Sequence, residues 1–376
     1  MSEVVVKPVS TKKEMDMFIH FPWKVYRSPE SHYPNWVPPL LMDEKHTFNR
    51  SHNKFFNHAD QQEFLAFRDG RVVGRIAAMV DWNYVDYQKK KDGFFGFFEV
   101  LKDAEAALAL HRAAEDYLRE RGMDRVLGPV NQSTGHILGC MISAFDVPPV
   151  VQMGYNPEYY QEFHESAGYE KEMDLRSYIM DVSLPLSDKI KRVSELARKR
   201  NGVEVRKADV KQWAQTVDVV REIWNDAWTD NWGFTPWTEE EFAVMAADMK
   251  MIMDKDMVLM AYIDGEPAGF AFPVPDVNNI MINMNGRLFP TGIFKLLGGI
   301  KKVKNLRVAA FGVKKKFQNK GVDAAFVYDL YTQGQAKGYT GAEFSWILET
   351  NQRLTNMLEN WGATYYKTHR IFRKPL

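Results

Sequence analysis

The chain has 376 residues, enough for two domains or one large one. Lys plus Arg and Asp plus Glu each number 49, so the basic surplus usual for a nucleic-acid binder is missing. Cys140 is the only cysteine, which excludes an internal disulfide and a cysteine-based metal site and fits a reducing cytoplasm. Met1 to Thr11 lacks the apolar core of a signal peptide, and no apolar run of about 18 residues provides a membrane span.

In chain order, Val4 to Val9 reads as an edge strand with Pro8 near its end. Thr11 to Trp23 reads as a helix and Tyr33 to Leu41 as a proline-rich aromatic loop. Glu63 to Asp69 and Arg71 to Val80 form a hairpin through Asp69-Gly70. Gly93 to Val100, nearly all aromatic, is a strand. Asp103 to Arg121 is a helix stopped by Gly122, and Asp124 to Val130 is a strand. An amphipathic helix, Leu186 to Arg200, ends at Asn201-Gly202 and marks the junction of two halves.

The second half repeats the order of the first. Val203 to Lys207 is a strand, Val210 to Ala227 a helix, and Asp256 to Ile263 a strand that turns through Asp264-Gly265 into Ala268 to Phe272. Arg307 to Val313 is a strand, Asp323 to Lys337 a helix ending at Gly338, Gly341 to Leu348 a strand, and Arg353 to Trp361 a helix before Gly362. The first half closes on the matching short helix, Pro157 to Ala167, before Gly168. The pattern points to duplication of a mixed α/β unit.

The chemistry-bearing motif is the strand Val308 to Val313 running into Lys314-Lys315-Lys316-Phe317-Gln318-Asn319-Lys320-Gly321-Val322-Asp323. A basic, glycine-containing loop that opens a helix offers backbone N–H groups to an anion, and its lysines add charge-assisted contacts. Gln318 to Asp323 resembles the Gln/Arg-x-x-Gly-x-Gly/Ala loop with which the GNAT superfamily binds the pyrophosphate of CoA. Gln318 and Gly321 match, while Asp323 stands where Gly or Ala is usual. The strand Ala342 to Asn351, the helix Arg353 to Trp361 and Gly362-Ala363 resemble the elements that follow in that superfamily.

The resemblance implies that the strands before and after this helix splay apart. Phe311, Gly312 and Val313 then give main-chain contacts to pantetheine, and one N–H polarises the thioester carbonyl. Gln318, Asn319, Lys320, Gly321, Val322, Asp323 and Asn351 complete the implied acyl-CoA site. Leu358 stands where many members carry a tyrosine general acid. After Val100 the first half has no such loop, so it is expected to shape the acceptor pocket and leave acyl-CoA to the second.

Phe21-Pro22-Trp23, Trp36 to Leu40, Gly128 to Asn131, Gly154 to Tyr160, and Trp224 to Trp228 with Asn231 to Phe234 resemble a tandem-GNAT bacterial family that includes bacterial ceramide synthases. That resemblance implies an α/β fold of two GNAT-like domains sharing a groove, a degenerate acceptor-side domain over 1–185 and an acyl-CoA-binding domain over 186–376. It implies an N-acyltransferase that moves an acyl group, long-chain by this reading, from acyl-CoA to a primary amine such as a sphingoid base. No metal takes part. An acetyltransferase for a small or peptide amine, and a non-catalytic acyl-CoA or lipid-binding protein, are the alternatives.

Glu349, where the second-half strand ends, is a candidate base for an ammonium acceptor, with a solvated strand-end charge as the other reading. Glu343 lies on the same strand, farther from the splay. Asn131, Ser133, Thr134 and His136 form a polar cluster that lines the acceptor site or satisfies its own loop. His136 stands out because histidine titrates near neutrality; His369 is weaker, and Cys140 has no histidine at a spacing that would make it a nucleophile. Between Asp276 and Asp323 there is no acidic residue, and Leu288 to Val303 mixes bulky apolar and basic side chains. A lid, an anionic membrane surface, a dock for acyl carrier protein and a plain packed connection are all open for that segment. A cytoplasmic protein, peripheral at the inner membrane face in the membrane reading, is the expected setting.

Overall fold

The computed structural model describes residues 2–29 and 33–376. It folds into two compact units. Unit 1 takes the chain up to Leu175 together with Ile280–Lys295 and Lys367–Leu376, and unit 2 takes Arg176–Asn279 and Leu296–Tyr366.

The first unit runs β1 (Val5–Pro8), α1 (Lys12–Arg27), α2 (Leu41–Thr47), β2 (Ala59–Arg68), β3 (Arg71–Asp81), α3 (Trp82–Gln88), β4 (Asp92–Val100), α4 (Ala104–Glu120), β5 (Arg125–Gly128), β6 (Cys140–Met141), α5 (Tyr159–Ser166) and into β7 (Glu170–Asp181). The chain continues through α6 (Asp188–Asn201), β8 (Glu204–Lys207), α7 (Trp213–Trp228), α8 (Glu239–Ile252), β9 (Leu259–Ile263), β10 (Glu266–Pro275), α9 (Asn278–Met281), α10 (Gly292–Gly299), β11 (Asn305–Val313), α11 (Val322–Lys337), β12 (Gly341–Leu348), α12 (Gln352–Asn360) and β13 (Thr364–Pro375).

Strand order in unit 1 is β1-β2-β3-β4-β5-β13-β7, with β6 on β13. In unit 2 it is β7-β12-β11-β10-β9-β8. Both Asp-Gly hairpins form, with Asp69, Gly70, Asp264 and Gly265 all at positive φ, the geometry that matches strand twist. Each hairpin leads to one antiparallel neighbour and then to one parallel pair, β4 with β5 and β11 with β12. The mixed α/β architecture therefore follows the repeat read in the sequence.

The unit 1 core is the stripe Ala106, Leu110, Ala114 and Leu118 of α4, packed with Ile76, Phe95 and Val126 of the strands. Spacing of four residues puts that stripe on one helix face. Unit 2 packs both faces of its strands. Ala197 of α6 joins Val322, Ala325 and Phe326 of α11 over Leu259, Ala261 and Ala271, while Ile223, Trp224 and Trp228 of α7 pack with Met260 and Phe270.

Several elements extend or add to the sequence reading. The helix α1 continues past Trp23 to Arg27 with Pro22 inside it. β5 stops at Gly128, two residues before the expected end at Val130. α8 starts from a capping box between Thr238 and Glu241. The long strands β7 and β13 have no counterpart in the sequence reading.

Candidate functional site

The unit 2 site begins with a bulge. β10 pairs β11 as Phe272↔Ala310 and then Pro273↔Val308, so Ala309 is an extra residue on β11. β12 pairs β11 only from Asn305↔Gly341 to Val308↔Phe344. From Ala309 to Val313 the edge of β11 that faced β12 pairs with no strand among the described residues, which leaves it an edge that another extended chain can join. Phe311, Gly312 and Val313, the expected pantetheine contacts, lie on this stretch. Gly312 is required by its other neighbour: a Cβ there would sit 2.3 Å from Trp228.

The loop after β11 brings the next group of expected residues together. Asn319 (φ 65°) and Gly321 (φ 79°) both take the left-handed conformation, which turns the chain into α11. α11 begins at Val322 on Gly321 with no side-chain cap. The N–H groups of Val322 and Asp323 have no partner among the described residues and are left for an anion, with the positive end of the helix dipole behind them. Gly321 has a packing duty too, since a Cβ on it would stand 2.7 Å from Cβ of Ala197.

The charges around the loop are divided. Lys314 pairs with Glu222 at 2.6 Å, Lys315 with Asp230 at 2.6 Å, and Lys316 with Glu266. These three lysines hold the loop to its own unit. Lys320 has no ion pair among the described residues; its Nζ lies 5.3 Å from the centre of the Phe317 ring. Asp323, the departure from the GNAT pattern, is drawn aside. Its Oδ1 accepts from Ala324 N at 2.9 Å, and its Oδ2 lies 3.6 Å from Arg353 of α12. Arg353 also donates to Oε1 of Gln318 at 3.5 Å. The sequence reading missed Arg353; its place one residue into a helix that follows the site strand was the available signal.

Asn351 caps α12, accepting from Leu354 N at 3.1 Å. Glu349 is half-buried just past the end of β12, and its carbonyl accepts from Gln352. Both belong to unit 2, whereas Asn131 and His136 belong to unit 1.

In unit 1 the corresponding gap is filled by the chain itself. β4 pairs β5 only from Asp92↔Arg125 to Phe94↔Leu127. Beyond that, Val130 N donates to Phe95 O and Phe97 N donates to Oδ1 of Asn131, each at 2.8 Å. Gly96 lets this segment close in, because a Cβ on it would meet Val130 O at 2.0 Å. The helix that follows is also closed. Asp103 accepts from Ala106 N at 3.0 Å and is gripped by Arg68 through two bonds of 2.8 and 2.9 Å. His136 shares a bond of 2.9 Å with Ser133, whose hydroxyl also accepts from Gly135 N. His369 is buried against Gly154 O, and burial pushes the Cys140 thiol up, away from nucleophile chemistry.

One surface feature belongs with these. Phe289, Phe294 and Leu297, on and just before α10, are 66, 74 and 62 % exposed. Lys295, Lys301 and Lys302 of the same stretch of chain are exposed and have no ion pair among the described residues. No group of His, Cys, Asp and Glu able to hold a metal ion occurs among the described residues, and no helix is long and apolar enough to cross a membrane.

Two mixed α/β units, each with a parallel strand pair that parts and a helix between its two strands, define a tandem GNAT fold. The solved structures agree. The GCN5-related glucosamine N-acetyltransferase region of a fungal multi-domain GH3 β-N-acetylglucosaminidase superposes with a TM-score of 0.58 at 13 % identity, covering 100 % of this chain and 38 % of that one. A tandem GNAT protein from the clavulanic acid biosynthesis pathway gives 0.50 at 10 % identity over 99 % and 98 %. No family model matches the chain. Among curated proteins, the bacterial ceramide synthase of Caulobacter vibrioides is 38 % identical over 100 % of this chain and 98 % of its own. Protein YghO of Escherichia coli is 33 % identical over 99 % and 95 %. The chain belongs to the family of these two proteins.

Proposed function

We propose that this protein is an acyl-CoA-dependent N-acyltransferase in which unit 2 alone binds the donor. The observation that carries the reading is the open edge of β11 from Ala309 to Val313 beside the uncapped start of α11. An extended pantetheine arm suits the first, and a pyrophosphate suits the second. Gln318, Asn319, Lys320, Gly321 and Val322 would surround the pyrophosphate, with Asp323 held off by Arg353. Phe311, Gly312 and Val313 would supply the main chain along the arm. A backbone N–H there would polarise the thioester carbonyl as the amine attacks.

The acyl group is long and the acceptor is the primary amine of a sphingoid base. The identity to a bacterial ceramide synthase over the whole chain supports both. The exposed Phe289, Phe294 and Leu297 with Lys295, Lys301 and Lys302 would meet an anionic membrane surface, where such substrates reside. Thiol release from acetyl-CoA and long-chain acyl-CoA, each with sphinganine, octadecylamine and a small amine, tests the activity. Higher kcat/KM for the long-chain donor with a long-chain amine is expected. Preference for acetyl-CoA would make the protein an acetyltransferase, and binding without turnover a carrier or sensor. Cosedimentation with phosphatidylglycerol vesicles, lost in the variant Phe294→Glu with Leu297→Glu, checks the membrane contact. Equal sedimentation of both proteins would remove it.

A further inference from the structure

Below the point where β11 and β12 part, unit 2 buries a charge cluster that none of the chemistry above uses. Arg307 of β11 faces Glu343 of β12 in register, one pair before the last of the ladder. The two are 3 % and 4 % exposed. Glu343 Oε2 accepts a short hydrogen bond from the Tyr366 hydroxyl. Arg307 donates from Nε to Ser345 Oγ at 3.3 Å and from an Nη to Ser345 O at 3.2 Å, and its guanidinium lies 5.4 Å from the Trp346 ring centre. Buried Asp276, after β10, acts on both Arg307 and Tyr366.

The charged side chains of the cluster are the carboxylates of Glu343 and Asp276 and the guanidinium of Arg307. Burial pulls Arg307 down to about 10, while Glu343 and then Asp276 work to keep it charged. Burial and then Glu343 push the Tyr366 hydroxyl up, so it stays a donor. Two buried polar atoms at this point of the strand pair are left over. Oε1 of Glu343 is a buried acceptor without a donor, and Nε1 of Trp346 is a buried donor without an acceptor. Buried polar atoms of this kind are rare in folded proteins and call for an explanation.

A ligand with one ammonium group and a nearby hydroxyl would satisfy both atoms. We infer that Glu343, with Tyr366 and Trp346, forms the site for the head of an amino alcohol acceptor, and that Oε1 of Glu343 takes the proton from its ammonium. The inference rests on the acyltransferase reading for its second half. The amine loses one proton to Glu343 and its lone pair attacks the thioester carbon. The C–N bond forms and the C–S bond breaks. The remaining surplus amine proton goes to the sulfur, CoA leaves as the thiol, and Glu343 returns its proton to water. Tyr366 holds Oε2 and Arg307 balances the carboxylate before the amine arrives. The indole N–H of Trp346 accepts nothing and donates to the hydroxyl oxygen.

The test compares wild type with Glu343→Gln, Tyr366→Phe and Trp346→Phe, using sphinganine and octadecylamine as probes. Calorimetry without acyl-CoA reads amine binding, and thiol release reads turnover. E343Q is expected to lower kcat by about a hundredfold or more, to remove the acid limb of the pH–rate profile and to leave acyl-CoA affinity unchanged. W346F is expected to raise KM for sphinganine several-fold more than for octadecylamine and so to erase the preference between them. A folded E343Q with kcat within twofold of wild type and the same acid limb would overturn the proton role. Unchanged amine affinity in it would overturn the site. Where E343Q does not fold, Y366F and W346F decide, and wild-type amine affinity and selectivity in both would overturn it. Wild type that binds sphinganine through Glu343 yet releases no thiol from any acyl-CoA sinks the acyltransferase reading and keeps the amine site.

Discussion

In unit 1 the chain closes its own split: Val130 and Asn131 bond to the edge of β4, and Asp103, clamped by Arg68, caps the helix that follows. In unit 2 the same stretch of edge is bare, and α11 starts on a glycine with no cap. One design thus appears in a sealed and an open form. The difference comes from a few residues. A carboxylate at the N-cap closes the end of one helix, and a glycine at that position leaves the N–H groups of Val322 and Asp323 at the start of the other without a cap. A side-chain amide three residues past the end of β5 does for the backbone what a substrate amide would do.

That contrast can be broken at three places. The largest effect is expected from Asn131→Ala, which strands the N–H of Phe97 and should cost about 1–3 kcal/mol in denaturant unfolding. If Asn131 were instead a catalytic group, stability would hold while kcat per folded molecule fell. Next, Lys320→Glu brings a negative charge to the open end. It should weaken acyl-CoA binding about tenfold in calorimetry, with the melting temperature unchanged. Gly321→Glu would be a poorer probe, because positive φ and the contact with Ala197 mix folding with binding. The smallest effect is the reciprocal one. Asp103→Ala removes a cap and should cost about 1 kcal/mol, with no acyl-CoA binding gained in unit 1. New binding there would show that the cap, and not the filled strand edge, had sealed the site.

The parts of this contrast that are local in the chain were legible in the sequence. Asp69-Gly70 and Asp264-Gly265 carry their turn geometry in two residues, and Gln318 to Asp323 carries the loop in six. What was hidden depends on distant partners. β13 reads as a polar, basic segment, yet Lys367, Thr368 and His369 are buried in it. Arg370 and Arg373 are matched by Asp174 and Glu172 of β7, nearly two hundred residues away, and neither strand looks apolar without the other. The cluster of Arg307 and Glu343 escaped for the same reason: a buried charge pair leaves no periodic mark. Thr238 and Glu241 were a readable start signal for α8 that the sequence reading passed over.

The lone thiol has a practical bearing. Cys140 is buried and its proton is held tightly, so a disulfide reagent that reports free CoA meets almost no competing sulfur on the protein. Turnover can be followed continuously without first blocking the enzyme. A single cysteine introduced at an exposed position such as Phe294 would be the one reactive handle on the chain, ready for a fluorophore whose colour would report the proposed contact of α10 with lipid.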